Sequence, residues 1–261
     1  MQTPTFSFDD SEAYERFMGR WSRAAGAVFL DWLNPPAGAS WLDVGCGTGI
    51  FTQMILNTCS PSAVHAVDPS PAQVAHAAAH VGEQTASFRV GAAEALPFAD
   101  ASFDVVSSAL VINFILDRPR ALAEMHRVVR PTGQVAGYVW DFGLELSPSW
   151  PLRVAMRRIG QDAGEGPGAA ASSTGALASI FEHAGFVDLE TRSFEVTLAF
   201  ASFEDFWQAQ TPSYSPITRM VNAMSDADRI RLTEALRAEL PVRADGAIEY
   251  SARANAIKSR R

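Results

Sequence analysis

The stretch Trp41-Leu-Asp-Val-Gly-Cys-Gly-Thr-Gly49 decides the fold. A short apolar run ends in three glycines at alternate positions, and 51–58 continues with helical spacing. Glycine opens backbone angles closed to other residues and lets a ligand lie against the main chain. A helix start adds unpaired N–H groups at the same place. The segment therefore predicts a ligand cradle at the end of a first strand. A phosphate loop of the Walker type would place Gly-Lys-Ser/Thr after four intervening residues, and the segment holds no lysine. A dinucleotide turn requires GxGxxG, and here Ile50 stands where the third glycine is needed. That spacing weakens the dinucleotide reading without excluding it.

Outward from this turn, short apolar runs at 40–44, 63–67, 87–90, 105–109 and 134–140 alternate with helix-like stretches at 51–58, 72–81 and 118–129. Strands apolar on both faces that alternate with helices predict an open, mostly parallel α/β sheet covered on both sides. Such sheets bind ligands at the carboxyl ends of their strands where the strand order switches, here beside the first strand. One domain is expected, with 1–38 as an N-terminal helical cover (Tyr14, Phe17, Trp21, Val28 and Trp32 at helical spacing) and 39–141 as the ligand-binding core. Residues 142–173 read as a loop-rich insertion whose Gly/Ala/Ser run, 164–173, predicts a mobile linker. Residues 174–261 supply a helix at 174–184, strands at 186–200 and 248–257, and a small helical cap at about 202–241.

Composition narrows the function classes. The 261 residues are 48% hydrophobic and 19% charged, enough for a full core, and the formal charge of −8 disfavours a nucleic-acid surface. The basic tail Lys258, Arg260 and Arg261 reads as a solvated terminus. Cys46 and Cys59 lie in no ligand spacing, so neither a metal site nor a disulfide framework is expected. The chain shows no secretory leader and no membrane-length apolar run, which predicts a soluble, cytoplasmic protein. Its oligomeric state is not legible.

The next strand ends at Asp68, in Val64-His-Ala-Val-Asp68. A carboxylate there can accept from both hydroxyls of a ribose. It suits S-adenosylmethionine, which carries no phosphate, and it suits NAD; the alternative role is a turn acid before Pro69-Ser-Pro71.

The blocks LDVGCGTG (42–49), AVDPSPAQVAHA (66–77), GAAEALPFADASFDVV (91–106), SSALVINF (107–114) and ALAEMHRVVRPTGQV (121–135) together resemble the class I S-adenosylmethionine-dependent methyltransferases, within them the ubiquinone/menaquinone-biosynthesis-like group. The resemblance implies a Rossmann-like sheet of about seven strands, mostly parallel, with one of the last two strands reversed. It implies that Asp43 and Gly45, Cys46, Gly47 and Gly49 face the methionyl end, Asp68 the ribose, Pro69 and Ser70 the adenine face, and Ala92, Ala93 and Glu94 the adenine edge. Ser108 and Ala109 would line the cofactor beneath the methyl group, and Tyr14 and Arg20 would belong to a covering helix. Two departures stand out. Ala92 occupies a place where many relatives carry an aspartate, and Thr132 follows Pro131 where Pro-Gly-Gly is usual.

Methyl transfer from a sulfonium is an in-line displacement with an activated leaving group, so positioning of a small-molecule acceptor supplies much of the catalysis. Asn113 and Phe114 after the fourth strand, Trp140 after the fifth, and Trp207 and Tyr214 in the cap are candidates for the acceptor pocket. Asp141 is the candidate proton acceptor, with a turn role as its alternative. Other readings of the same cofactor site are non-methylating chemistry, aminopropyl transfer among it, or a regulatory binding protein.

Overall fold

The apolar run before the glycines forms β1 (Ser40–Val44), buried along its last four residues. In the computed structural model, which describes residues 18–82, 85–213 and 215–261, β1 pairs in parallel with β2 (Ala63–Asp68) on one side and β4 (Phe103–Ala109) on the other. With β3 (Ser87–Val90), β5 (Val129–Trp140), β6 (Val187–Phe200) and β7 (Ile248–Arg260), the sheet order is β3-β2-β1-β4-β5-β7-β6. β7 is antiparallel to both β5 and β6, so it alone is reversed. The order switches beside β1, as expected.

The two-residue period of a strand explains why the core strands are apolar throughout. Trp41 packs on one face, against Phe29, Phe51 and Tyr138, while Leu42 and Val44 pack on the other, against Leu122, Phe181 and Val139. Each such side chain, fully buried, contributes about 1.5–3 kcal/mol. Trp41 keeps its indole N–H satisfied by donating to Ser107 Oγ at 2.7 Å, across β1 and β4.

Among the described residues the helices are α1 (Arg20–Leu33), α2 (Ile50–Thr58), α3 (Pro71–Ala77), α4 (Arg118–Val128), α5 (Trp150–Arg158), α6 (Thr174–His183), α7 (Phe203–Gln210), α8 (Pro216–Ala223) and α9 (Asp226–Glu239). Polar side chains start many of them. Ser70, Asp117, Ser173, Ser202 and Ser225 each accept from a backbone N–H in the first turn of the helix that follows. α1 ends at Asn34 in the left-handed conformation, before the two prolines.

The structure departs from the sequence expectations in three places. Residues 142–173 contain α5, and the glycine-rich run is fastened rather than loose: Arg153 donates to Gly164 O, Asn113 Nδ2 to Pro167 O at 3.1 Å, Asn255 Nδ2 to Ser172 O at 2.8 Å, and Gly143 N to Ser172 Oγ at 3.0 Å. α8 occupies 216–223 within the expected helical cap, as an extra helix between the helical stretches at 202–210 and 225–240; Pro216 sits at its first turn, a position that tolerates proline. β5 starts at Val129, not 134: Val129 pairs with Phe103, the register shifts across 130–133, and regular pairing resumes at Gln134 opposite Val105.

Thr132 has φ +65°. A β-branched residue in the left-handed region is strained by about 1–2 kcal/mol, which gives the unusual threonine a physical meaning. Thr132→Gly should stabilise the protein by up to about 1 kcal/mol after the extra backbone entropy of glycine is deducted. A rise in the urea midpoint at constant m-value checks this; a fall would show that the threonine side chain contributes more than its backbone costs.

Candidate active site

Three segments meet along the carboxyl edge of the sheet, one per strand. At the end of β1, Gly45, Gly47 and Gly49 all have positive φ (80°, 52° and 87°). The turn is pinned to β2 because Gly45 N and Cys46 N both donate to Val67 O, at 2.8 and 3.0 Å. The three glycines serve different ends. A Cβ on Gly45 would lie 2.5 Å from Val111, and one on Gly49 would lie 2.8 Å from Val81, so packing demands both. A Cβ on Gly47 would meet nothing within 4 Å. The cradle opens over Gly47.

Asp68, at the end of β2, ties the segments together. One carboxylate oxygen accepts from Gly47 N at 3.0 Å and the other from Ser70 N at 2.9 Å. Each oxygen keeps a lone pair for a further donor. Burial pushes this carboxyl above its usual range, and the two backbone donors oppose the shift. The turn role of Asp68 is realised, and it leaves a lone pair on each oxygen open to a further donor. Ser70, besides donating to Asp68, caps α3, and Pro69 lies between them. At the end of β3, Gly91 N donates to Asp68 O at 3.1 Å, and Ala92 O accepts from Ala95 N at 3.1 Å in the following turn. Ala93 is buried, Ala92 is exposed, and Glu94 gives its carbonyl to Arg120 Nε at 2.9 Å. Three adjacent strand ends span about 10 Å, the reach of a nucleoside joined to an amino acid.

Beneath the turn, Asp43 is wholly buried. Thr52 Oγ1, on the first turn of α2, donates to one oxygen at 2.7 Å, and the other oxygen has no partner. Burial raises the Asp43 carboxyl to about 7, against the hydrogen bond from Thr52 and with a smaller push from the charge of Asp68. The Cys46 thiol is pushed up by burial first, then by Asp43 and Asp68, which leaves it a poor nucleophile.

The reacting end is built from the loops after β4 and β5. Ser108 is buried with an unpartnered hydroxyl, and Ala109 beside it is half-buried. Leu110 takes φ +63° while its N–H donates to Tyr138 O at 2.8 Å, a strained turn that swings Val111 onto Gly45. Asn113 is buried and held by Pro167 O through Nδ2, while its Oδ1 has no partner; Phe114 is exposed. Trp140 is buried edge-on to Trp21 at 6.1 Å, its indole N–H unpartnered. Asp141 is buried and accepts from Leu144 N at 2.9 Å, so its turn role is realised.

Other candidates sit elsewhere. Arg20 lies over the Phe200 ring at 4.7 Å, donates to Ala199 O and approaches Asp205 at 3.6 Å, which commits it to β6 and α7, four strands from β1. Trp207, on α7, stacks on Phe203 with centroids 6.2 Å apart. Tyr14 and Tyr214 lie outside the described residues. Sequence reading missed Thr52, Val111 and Arg153. Thr52 had a signal, falling one helical turn after Gly49, whereas Val111 and Arg153 act through tertiary contacts no local pattern announces. Among the described residues no group of three or more His, Cys, Asp or Glu could hold a metal, and no helix is long and apolar enough to cross a membrane.

A reversed seventh strand in a seven-stranded α/β sheet, with a glycine turn and a ribose-type acid at its switch point, defines a nucleoside-cofactor fold of the methyltransferase class. Residues 42–137 match the family model described as a methyltransferase domain. Over 180 residues the chain is 33% identical to the malonyl-[acyl-carrier protein] O-methyltransferase of Erwinia pyrifoliae, covering 68% of this chain and 63% of that one. It is 36% identical over 112 residues to the ubiquinone/menaquinone biosynthesis C-methyltransferase of Dinoroseobacter shibae, covering 41% and 45%. A solved structure of phosphoethanolamine N-methyltransferase 2 from Haemonchus contortus, in complex with phosphomonomethylethanolamine and S-adenosylhomocysteine, shares the fold with a TM-score of 0.59 at 20% identity, over 99% of this chain and 61% of that one. The chain thus spans less than two thirds of the length of these relatives. Residues 42–137 thus match a methyltransferase domain, and the chain is similar in sequence and fold to S-adenosylmethionine-dependent methyltransferases of class I.

The buried Asp43 carries a test of its own. Its carboxyl is raised in the folded state, so folding takes up a proton between pH about 4 and about 7, and the protein loses stability as pH rises through that window. Asp43→Asn removes the effect. The melting temperature of the variant relative to the unsubstituted protein should climb from pH 4 to pH 7 and then level off. A difference independent of pH would show that Asp43 does not titrate there.

Proposed function

We propose that this chain transfers a methyl group from S-adenosylmethionine to a small-molecule acceptor. The observation that carries the reading is the open face of Gly47, whose N–H is held by the same Asp68 carboxylate that retains free lone pairs for a ribose diol. The unpartnered oxygen of Asp43 below the turn suits the ammonium of a methionyl group. Gly47, Asp43 and the turn would hold the methionyl end, Asp68 the ribose, Pro69 and Ser70 one face of the adenine, and the 92–94 segment its edge.

The cofactor supplies a methyl group already activated on sulfur. What remains for the protein is to hold an acceptor atom in line with it, at about 3 Å, and to keep water out. Ser108 and Ala109 would form the floor under the methyl group, and Asn113, Phe114 and Trp140 would surround the acceptor. Asp141 is the candidate proton acceptor. Its bond to Leu144 N occupies one oxygen and leaves the other for an acceptor that must lose a proton.

Calorimetry with S-adenosylmethionine and with NAD, followed by detection of S-adenosylhomocysteine as product, tests the function. Asp68→Ala should weaken S-adenosylmethionine binding at least about tenfold, the loss of a charge-assisted contact. Binding of NAD alone, or unchanged S-adenosylmethionine affinity in the variant, would overturn the assignment.

A further inference from the structure

Arg153, on α5, is a cation in an unusual setting. Its side chain is 5% exposed, yet no carboxylate among the described residues forms an ion pair with it. A guanidinium offers five N–H donors, and here one of its nitrogens donates to a single acceptor, the Gly164 carbonyl. Three acids are near enough to influence it, Glu145, Asp162 and Glu165, but each is otherwise placed. Glu145 is held by Arg157 at 2.5 Å, Asp162 accepts from Gly164 N at 2.8 Å, and Asp162 and Glu165 are both exposed. α5 turns Leu152, Ala155 and Met156 into the core, while Arg157, one turn on, adds a second positive charge near Arg153. A buried charge without a partner is costly, and proteins keep one where an opposite charge arrives.

The place matters as much as the charge. Gly164 begins the strap that runs over the reacting end. Pro167 O takes the Asn113 amide, and Gly168, at φ +60°, packs so closely that a Cβ there would lie 2.2 Å from Asn113 O. Asn113 in turn follows Val111, which rests on Gly45 of the cofactor cradle. Arg153 thus touches the strap three residues from the point at which the strap meets the acceptor end.

We propose that Arg153 is the anchor for an oxyanion on the methyl acceptor, a carboxylate or a phosphate, which displaces the Gly164 carbonyl from the guanidinium. This rests on the methyltransferase reading and narrows it: the acceptor is an acid bound with its charge beneath the strap and its nucleophile beside Asn113. A planar guanidinium fork suits either group bidentately. The Gly164 carbonyl holds the place of the anion on the guanidinium until the acceptor arrives.

The experiment titrates malonate and, separately, inorganic phosphate into the full chain saturated with S-adenosylhomocysteine, at matched ionic strength against chloride. Saturable binding is expected for at least one of the two, and the tighter probe tells a carboxylate from a phosphate. Arg153→Met should weaken that binding at least about tenfold while leaving S-adenosylhomocysteine affinity unchanged; Arg153→Lys, which keeps the charge without the fork, should fall between, and it supplies the comparison should Arg153→Met fail to fold. Hydrogen exchange at 164–168 should change on adding the anion to the unsubstituted protein only. Failure of S-adenosylhomocysteine to bind would overturn the function itself. Binding of S-adenosylhomocysteine with no saturable anion binding, or with anion binding equal in Arg153→Met, would overturn the role of Arg153 alone.

Discussion

The carboxylate of Asp68 is the interaction on which the site depends. It joins the glycine turn of β1 to the turn after β2 by taking one backbone N–H from each. Gly47 can be left uncovered because Asp68 holds it from the side, and Ser70 is brought into position to cap α3 by the same carboxylate. The backbone order a cofactor would otherwise have to impose is in place beforehand, which lowers the entropic cost of binding. The arrangement has an electrostatic cost as well. Burial raises both Asp43 and Asp68, and the charge of Asp68 raises Asp43 further. A ligand carrying positive charge on its amino acid end and on its sulfur relieves that cost, so the acids that destabilise the empty site favour this kind of cofactor.

The cofactor half of the molecule was legible because it is written in local backbone chemistry. β1 has the expected limits, and the glycines at 45, 47 and 49 take the positive φ that their spacing implied. Asp68 fills the turn role that sequence reading gave as its alternative, and its remaining lone pairs leave the ligand role compatible with it. The insertion was less legible for a physical reason. Pro148, Pro151 and the run of small residues carry loop signals, yet Pro151 falls in the first turn of α5, where its missing N–H costs nothing. The strap is fixed by Arg153, Asn113 and Asn255, which come from α5, the β4 loop and β7. Contacts of that kind leave no periodic trace.

Thr132 and Ala92 show how departures from a family pattern divide. Thr132 lies at φ +65° where β5 shifts register between Val129 and Gln134, and bears on stability. Ala92 lies in the turn after β3, exposed, next to a Glu94 whose carbonyl is taken by Arg120. In the proposed site, with no acid at 92, the adenine edge would be left to the backbone of the 92–94 segment and to the Glu94 carboxylate. The cradle at β1 and β2, fixed by Asp68, would then carry a larger share of cofactor affinity than a site with an acid on each of its three strand ends.

The two halves of the site obey different constraints. Around the cofactor, packing and φ angles leave few alternatives: a side chain at 45 or 49 collides, and the turn cannot form without them. Around the acceptor, what is specific is a set of polar groups without protein partners, Ser108 Oγ, Asn113 Oδ1 and the Trp140 indole N–H, together with the underused guanidinium of Arg153. Unpaired buried polar groups cost about 1–3 kcal/mol each, and they are tolerable in a folded chain when a ligand satisfies them. By name, the two sequence relatives methylate oxygen and carbon, and the structural neighbour that shares the fold methylates nitrogen. That is the expected outcome when the cradle is fixed by backbone geometry and the acceptor is chosen by side chains on inserted loops, which can change without disturbing the turn they face.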